Sequence, residues 1–288
     1  MNTGQQQTTQ ETRPITSQLR AQFKWTRASY YLFSGFVLLL FLIGYVWQPL
    51  VAEYLSYFNP EIAIWRQIDW LLVGNFLFMS AMIMAGADLK TDLPILAIGL
   101  VGGLAIEGWG TQTELWTYYT NERPPLWIIP AWPIASLSID RLYRIIRLAF
   151  QKVPQKVFKL AYWIIFPGFY FLMWEFVWPT RQKSLTILAL ALVGLLIVSL
   201  RGQRGAVLTF AAGTGLGYFL ELWGTTRACW TYYTFETPPF FAVLAHGMAA
   251  VAFWWGYQFY RKLASKYLHT SSPLKVITRN LNTSNNHY

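Results

Sequence analysis

Two glutamates set in apolar sequence, Glu107 and Glu221, are the residues of this chain best placed to do chemistry. Each closes a stripe of small residues, with Gly99 and Gly103 before Glu107, and Gly213 and Gly217 before Glu221. Spacings of four put both glycines and the carboxylate on one face of a helix, and the G-x3-G pattern lets a second helix approach closely in lipid. A charged side chain at the centre of a bilayer costs about 2.5 to 3.5 kcal/mol on the insertion scale, so a carboxyl kept on a packing face points to function. Burial favours the protonated acid, and a second carboxylate nearby strengthens that preference for one of the pair. A proton held there can be delivered as a general acid. The structural alternative is that each Glu accepts hydrogen bonds from the Trp, Tyr or Thr that follow it and pins that segment. Glu175, in another apolar stretch, is a third intramembrane carboxylate.

The surroundings of the two glutamates repeat. Aligned without gaps at an offset of 114, Gly99 to Pro125 and Gly213 to Pro239 share 14 identities in 27 positions, among them W-T-Y-Y-T and a Pro-Pro pair. Trp109, Trp116, Tyr118 and Tyr119 thus match Trp223, Trp230, Tyr232 and Tyr233. An aromatic belt at a membrane interface would account for such residues, but a belt needs no fixed order. The same order at the same distance from a Glu implies a specific structure, and rings around a cavity would stabilise a cation beside a proton donor. His246 aligns with Trp132 and is the one histidine inside an expected span. A lone His is more often a hydrogen-bonded packing residue than a base, so it joins the aromatic residues and Glu175 as a candidate for substrate binding.

The elements that must hold these residues are membrane helices. The 288 residues are 55% hydrophobic, 18% aromatic and 12% charged, far more apolar than an ordinary soluble domain. Eight apolar segments approach spanning length, near 29–50, 70–87, 93–110, 126–140, 160–179, 184–200, 205–223 and 240–260. The expected fold is therefore an all-α polytopic bundle of about eight transmembrane helices in two parallel four-helix repeats, 29–140 and 160–260. A basic amphipathic connector, 141–159, joins them, and Pro130 and Pro133 are expected to kink the fourth span. Residues 1–28 read as a disordered cytoplasmic tail and 261–288 as a basic, polar one. The segment from Met1 to Thr26 is too long and polar for a cleavable signal, so the first span is expected to serve as its own insertion signal.

A net charge of +10 raises nucleic acid as a partner, but topology accounts for it. With both termini cytoplasmic, 18 Lys and Arg fall on the cytoplasmic side and 5 on the other, satisfying the positive-inside rule. The expected partners are membrane lipid and a hydrophobic substrate; oligomeric state is left open. One cysteine, Cys229, cannot form an internal disulfide. One intramembrane histidine makes no His-rich metal cluster, and Asp88 with Asp92 forms too small a set to hold magnesium against a pyrophosphate. Phosphate loop, nucleophile elbow and dinucleotide fingerprint are all missing from the sequence.

A membrane Glu with a Gly three residues on, an aromatic-Tyr cluster and prolines opening the next helix resembles the integral-membrane carotenoid hydratases and, more distantly, the small lycopene cyclases. The likeness covers Glu107 to about Trp132 and Glu221 to about His246. Where those hydratases carry a Phe-Gly-x-Tyr-x-Tyr type of cluster, this chain has Trp116-Thr117-Tyr118-Tyr119, and the cyclases' Pro-x-Glu-Glu element is absent. The resemblance implies an isoprenoid or carotenoid substrate whose alkene is protonated by a carboxylic acid, followed by hydration or cyclisation. Glu107 and Glu221 would be acid and base, the tyrosines and tryptophans would line the pocket, and no cofactor would be needed. Two other readings stay open: a proton- or cation-coupled transporter or lipid-binding protein using the paired Glu, and a structural subunit of a membrane complex.

Overall fold

A computed structural model describes residues 15–270. Within them the chain is predominantly helical, with one two-stranded sheet. In chain order the elements are α1 (Ile15–Gln22), α2 (Arg27–Val46), α3 (Gln48–Ser56), α4 (Ile64–Gln67), α5 (Trp70–Met84), α6 (Leu89–Thr113), β1 (Trp116–Tyr118), α7 (Ala131–Ala149), α8 (Gln155–Phe176), α9 (Ser184–Ser199), α10 (Gln203–Thr226), β2 (Trp230–Tyr232) and α11 (Phe240–Thr270). By length and composition α2, α6, α8, α10 and α11 can cross a membrane, whereas α5 and α9 are apolar but only 15 and 16 residues long.

The segment expected as a fourth span differs from its reading. Residues 126–130 form turns, and α7 then runs from Ala131 into the segment expected as a separate connector. Pro130 precedes α7 and Pro133 lies in its first turn, where a missing N–H costs nothing, so they start the helix and do not kink it. Residues 15–22 of the expected tail form α1, which packs on α7. Residues 261–270 of the expected second tail continue helix α11, and residues 1–14 and 271–288 lie outside the described residues.

The 114-residue offset extends beyond the matching residues to the elements. α5 and α9 begin at Trp70 and Ser184, α6 and α10 at Leu89 and Gln203, β1 and β2 at Trp116 and Trp230. The backbone repeats even where the side chains do not: Glu114 and Ala228 both turn with positive φ (66° and 51°), as do Asn121 and Phe235 (58° each). A phenylalanine has no intrinsic preference for that region, so tertiary structure imposes the turn.

Helix α6 packs on α7 and α10 on α11, while α7 also meets α10 and α6 meets α11. The close approaches fall on the glycine stripes. A Cβ at Gly103 would lie 2.2 Å from Trp132 Cγ, and one at Gly217 2.3 Å from His246 Cβ. A Cβ at Gly99 would meet Ser136 Oγ at 2.5 Å and the Pro133 Cα at 2.9 Å, and one at Gly213 the Ala250 Cβ at 2.7 Å and the Gly247 Cα at 2.9 Å. Buried apolar residues form one large cluster among α8 to α11 and both strands, and two smaller ones, among α2, α5, α6 and α7 and among α7, α10 and α11.

Candidate functional site

Beyond Glu107, α6 reaches Gly110 and ends at Glu114, whose positive φ turns the chain back on itself. The returning strand β1 places Trp116 over Gly110 so closely that a Cβ there would fall 1.8 Å from the indole. Gly224 and Trp230 repeat the arrangement at 1.9 Å. Successive strand residues point to opposite faces, so Trp116 and Tyr118 face inward together. They are 8% and 4% exposed.

The returning side chains converge on the carboxylates. Glu107 Oε2 accepts hydrogen bonds from Trp116 Nε1 at 3.0 Å and the Tyr118 hydroxyl at 2.9 Å, and its Oε1 accepts from Trp132 Nε1 at 3.1 Å. Glu221 Oε2 accepts from Trp230 Nε1 at 2.9 Å, while its Oε1 takes the Tyr232 hydroxyl at 2.9 Å and lies 2.8 Å from His246 Nε2. One turn after each Glu, a threonine hydroxyl, of Thr111 or Thr225, donates to the glutamate's own carbonyl at 2.6 Å.

Strands β1 and β2 pair antiparallel in the register Trp116 with Tyr232, Thr117 with Thr231 and Tyr118 with Trp230. Equivalent residues thus exchange places about the central threonines, as a local two-fold axis requires, and both returning segments lie at one end of the bundle. Across this junction Trp116 meets Tyr232 and Tyr118 meets Trp230, each with ring centroids 5.8 Å apart. Trp132 stacks on His246 at 5.5 Å with 14° between the planes. The two carboxylates are therefore linked through stacked partners.

Both carboxylates line one cavity of about 1010 Å³. Trp109, Trp116, Tyr118, Trp132 and their counterparts Trp223, Trp230, Tyr232 and His246 share its wall with apolar side chains of α2, α5, α8 and α9, such as Leu39, Phe76, Phe169 and Leu192. Among the described residues no Lys or Arg lines it.

Three candidate residues lie away from it. Tyr119 and Tyr233 follow the inward tyrosines by one residue and so face the other way; Tyr119 is 45% exposed, and the Tyr233 hydroxyl donates to the Phe176 carbonyl. Glu175 is exposed on α8, on a different face from Phe169 and Met173, which do line the cavity. Conversely, Trp132 was legible as a site residue, since it follows Glu107 by the same 25 residues that separate His246 from Glu221.

Two polar clusters that the spacing did not disclose brace the two ends of the bundle. Asp69 caps α5 and also receives Trp223 Nε1 at 2.9 Å and Arg227 Nε at 2.9 Å. Burial works to raise the Asp69 carboxyl, but the hydrogen bonds from Arg227, the Leu72 amide and Trp223 prevail and hold it below the usual range. Burial pushes the nearby Cys229 thiol up to about 11, so it stays a neutral thiol at neutral pH. At the other end of the bundle Asp92, fully buried, pairs with Arg141 at 2.7 Å, and Arg141 also donates to the Ala85 carbonyl at 2.8 Å. Among the described residues no three His, Cys, Asp or Glu side chains converge as a metal site would require.

No family model, curated protein or solved structure matches the chain.

Proposed function

We propose that this protein is an integral-membrane enzyme that protonates an alkene of a long-chain isoprenoid or carotenoid, leading to hydration or cyclisation. The observation that carries the reading is the 1010 Å³ cavity, whose wall is predominantly apolar and aromatic and which two hydrogen-bonded carboxylates enter, with Asn75, Gln112 and His246 the other polar side chains of the lining. Apolar pockets with a few convergent polar groups are typical of sites that bind small molecules and cofactors. A hydrocarbon chain would gain from burial against Leu39, Phe169 and Leu192, at about 25 cal/mol per Å² of apolar surface. Indole and phenol faces beside the carboxylates would stabilise a carbocation, and electrostatic groups fixed in place before charge develops are the most effective kind. In this reading α2, α5 to α7 and α8 to α11 form two parallel repeats of four spans, with both termini cytoplasmic and the site beneath the paired strands.

The test is to purify the protein in detergent, extract it with organic solvent and identify what it carried by mass spectrometry. A long-chain isoprenoid retained at near-stoichiometric level, and lost on Phe169→Asp with Leu192→Asp, is the expected result. Recovery of bulk phospholipid alone would overturn the reading.

A second reading draws on the charge of the lining: two carboxylates, with no Lys or Arg among the described residues that line the cavity, suit a proton- or cation-coupled transporter. It predicts pH-coupled flux in vesicles that Glu107→Gln and Glu221→Gln abolish, with an unchanged isoprenoid profile.

A further inference from the structure

The two carboxylate cages agree in Gly, Thr, Trp and Tyr and differ in one donor. At Glu107 that donor is the Trp132 indole, 3.1 Å away; at Glu221 it is the His246 imidazole, 2.8 Å away. An indole N–H donates a hydrogen bond but does not exchange a proton near neutral pH, whereas an imidazole does both. His246 lines the cavity and keeps 17% of its side chain exposed, so it can meet a substrate. Gly217 lies beneath it as Gly103 lies beneath Trp132, and the Trp132 ring stacks on its face.

We propose that the two halves of the site divide the work: His246, oriented by Glu221, passes the proton to and from the substrate, and Glu107 is a fixed anion facing the positive charge that forms. This rests on the alkene-protonating reading above. A carboxylate accepts, so Nε2 carries the hydrogen shared with Glu221 and Nδ1 is left to do the chemistry. The Nδ1–H of the imidazolium gives its proton to one alkene carbon; the π pair forms the new C–H bond and leaves the adjacent carbon cationic. If water adds, its oxygen bonds to the cation and its excess proton returns to Nδ1. If a second double bond adds, a ring closes and a neighbouring carbon returns the proton. Either way imidazolium is restored, and water is the only co-reactant. Glu221 is then a positioning residue. Glu107 serves through charge, its two oxygens held by three donors that keep it aimed.

The test uses purified full-length protein in deuterated buffer, with the pigment and lipid extract of a gene-deleted strain as substrate source and mass spectrometry as readout. Wild type is expected to place one solvent deuterium on carbon in the product. His246→Gln keeps a donor for Glu221, and His246→Trp makes the second cage a copy of the first. Both should slow incorporation about a hundredfold or more, a typical loss for a general acid, while still retaining the substrate. Thermal unfolding midpoints confirm that each variant compared is folded. Incorporation by His246→Gln within tenfold of wild type, with Glu107→Gln inactive, would overturn the division of labour and leave alkene protonation standing. No conversion by wild type would instead remove the alkene-protonating reading itself.

Discussion

Each site carboxylate has both oxygens engaged, and the groups engaging them are large aromatic residues that also form the walls. Site and packing are therefore hard to separate by mutation unless the substitution is small. Tyr118→Phe removes one hydroxyl and keeps the ring. Leaving a buried acceptor short of one donor costs about 1 to 3 kcal/mol, so this variant should lose about 2 kcal/mol of stability in a denaturant titration in detergent. Tyr119→Phe, one residue on and outside the cage, should shift stability by less than about 0.5 kcal/mol. Equal losses at the two positions would show that the hydroxyl's bond to Glu107 contributes nothing special.

Among the elements, α6 and α10 carry the site because glycine lets their partners approach. Gly103→Ala sets a Cβ 2.2 Å from Trp132 Cγ, and Trp132 is itself a ligand of the Glu107 carboxylate. Overpacking of this kind costs about 1 to 3 kcal/mol and should displace the indole, so both stability and activity are expected to fall. Gly108→Ala on the same helix meets nothing within 4 Å and should be neutral or stabilising by up to about 1 kcal/mol. Much of this was legible in advance, because a four-residue period and a repeated pattern are local signals: Gly99, Gly103, Glu107 and their counterparts sit on stripes that the spacing alone defines. The pairing of β1 with β2 was not, since it joins residues more than a hundred apart, and only the strand's alternation separates inward Tyr118 from outward Tyr119. The start of α7 was obscured because residues 126–130 are apolar enough to read as helix, yet form turns ahead of Ala131.

At the scale of the whole molecule, the two copies of the glutamate motif meet at the strands and stacked rings, with Asp69 binding the end of α10 to the start of α5. The folded state holds Asp69 below its ordinary pKa, so the clamp's contribution is fully present above the unfolded value of ~3.9 and is lost as pH falls through the lower folded value. Thermal midpoints in detergent should therefore fall more steeply below pH 4 for wild type than for Asp69→Asn, which begins lower and lacks that titration. Parallel acid limbs would show that the clamp adds nothing. The Asp92 and Arg141 pair braces the opposite end, inside a protein whose charged residues are otherwise mostly exposed.

The central claim is that this cavity converts an isoprenoid. The direct measurement is a comparative pigment and lipid extraction of gene-deleted cells complemented by wild type or by the Glu107→Gln, Glu221→Gln double variant, resolved by chromatography with mass detection. The account predicts that wild type removes a precursor which the double variant leaves, the product being heavier by one water or isomeric with the precursor. Identical profiles, with both proteins present in the membrane at equal level, would contradict it.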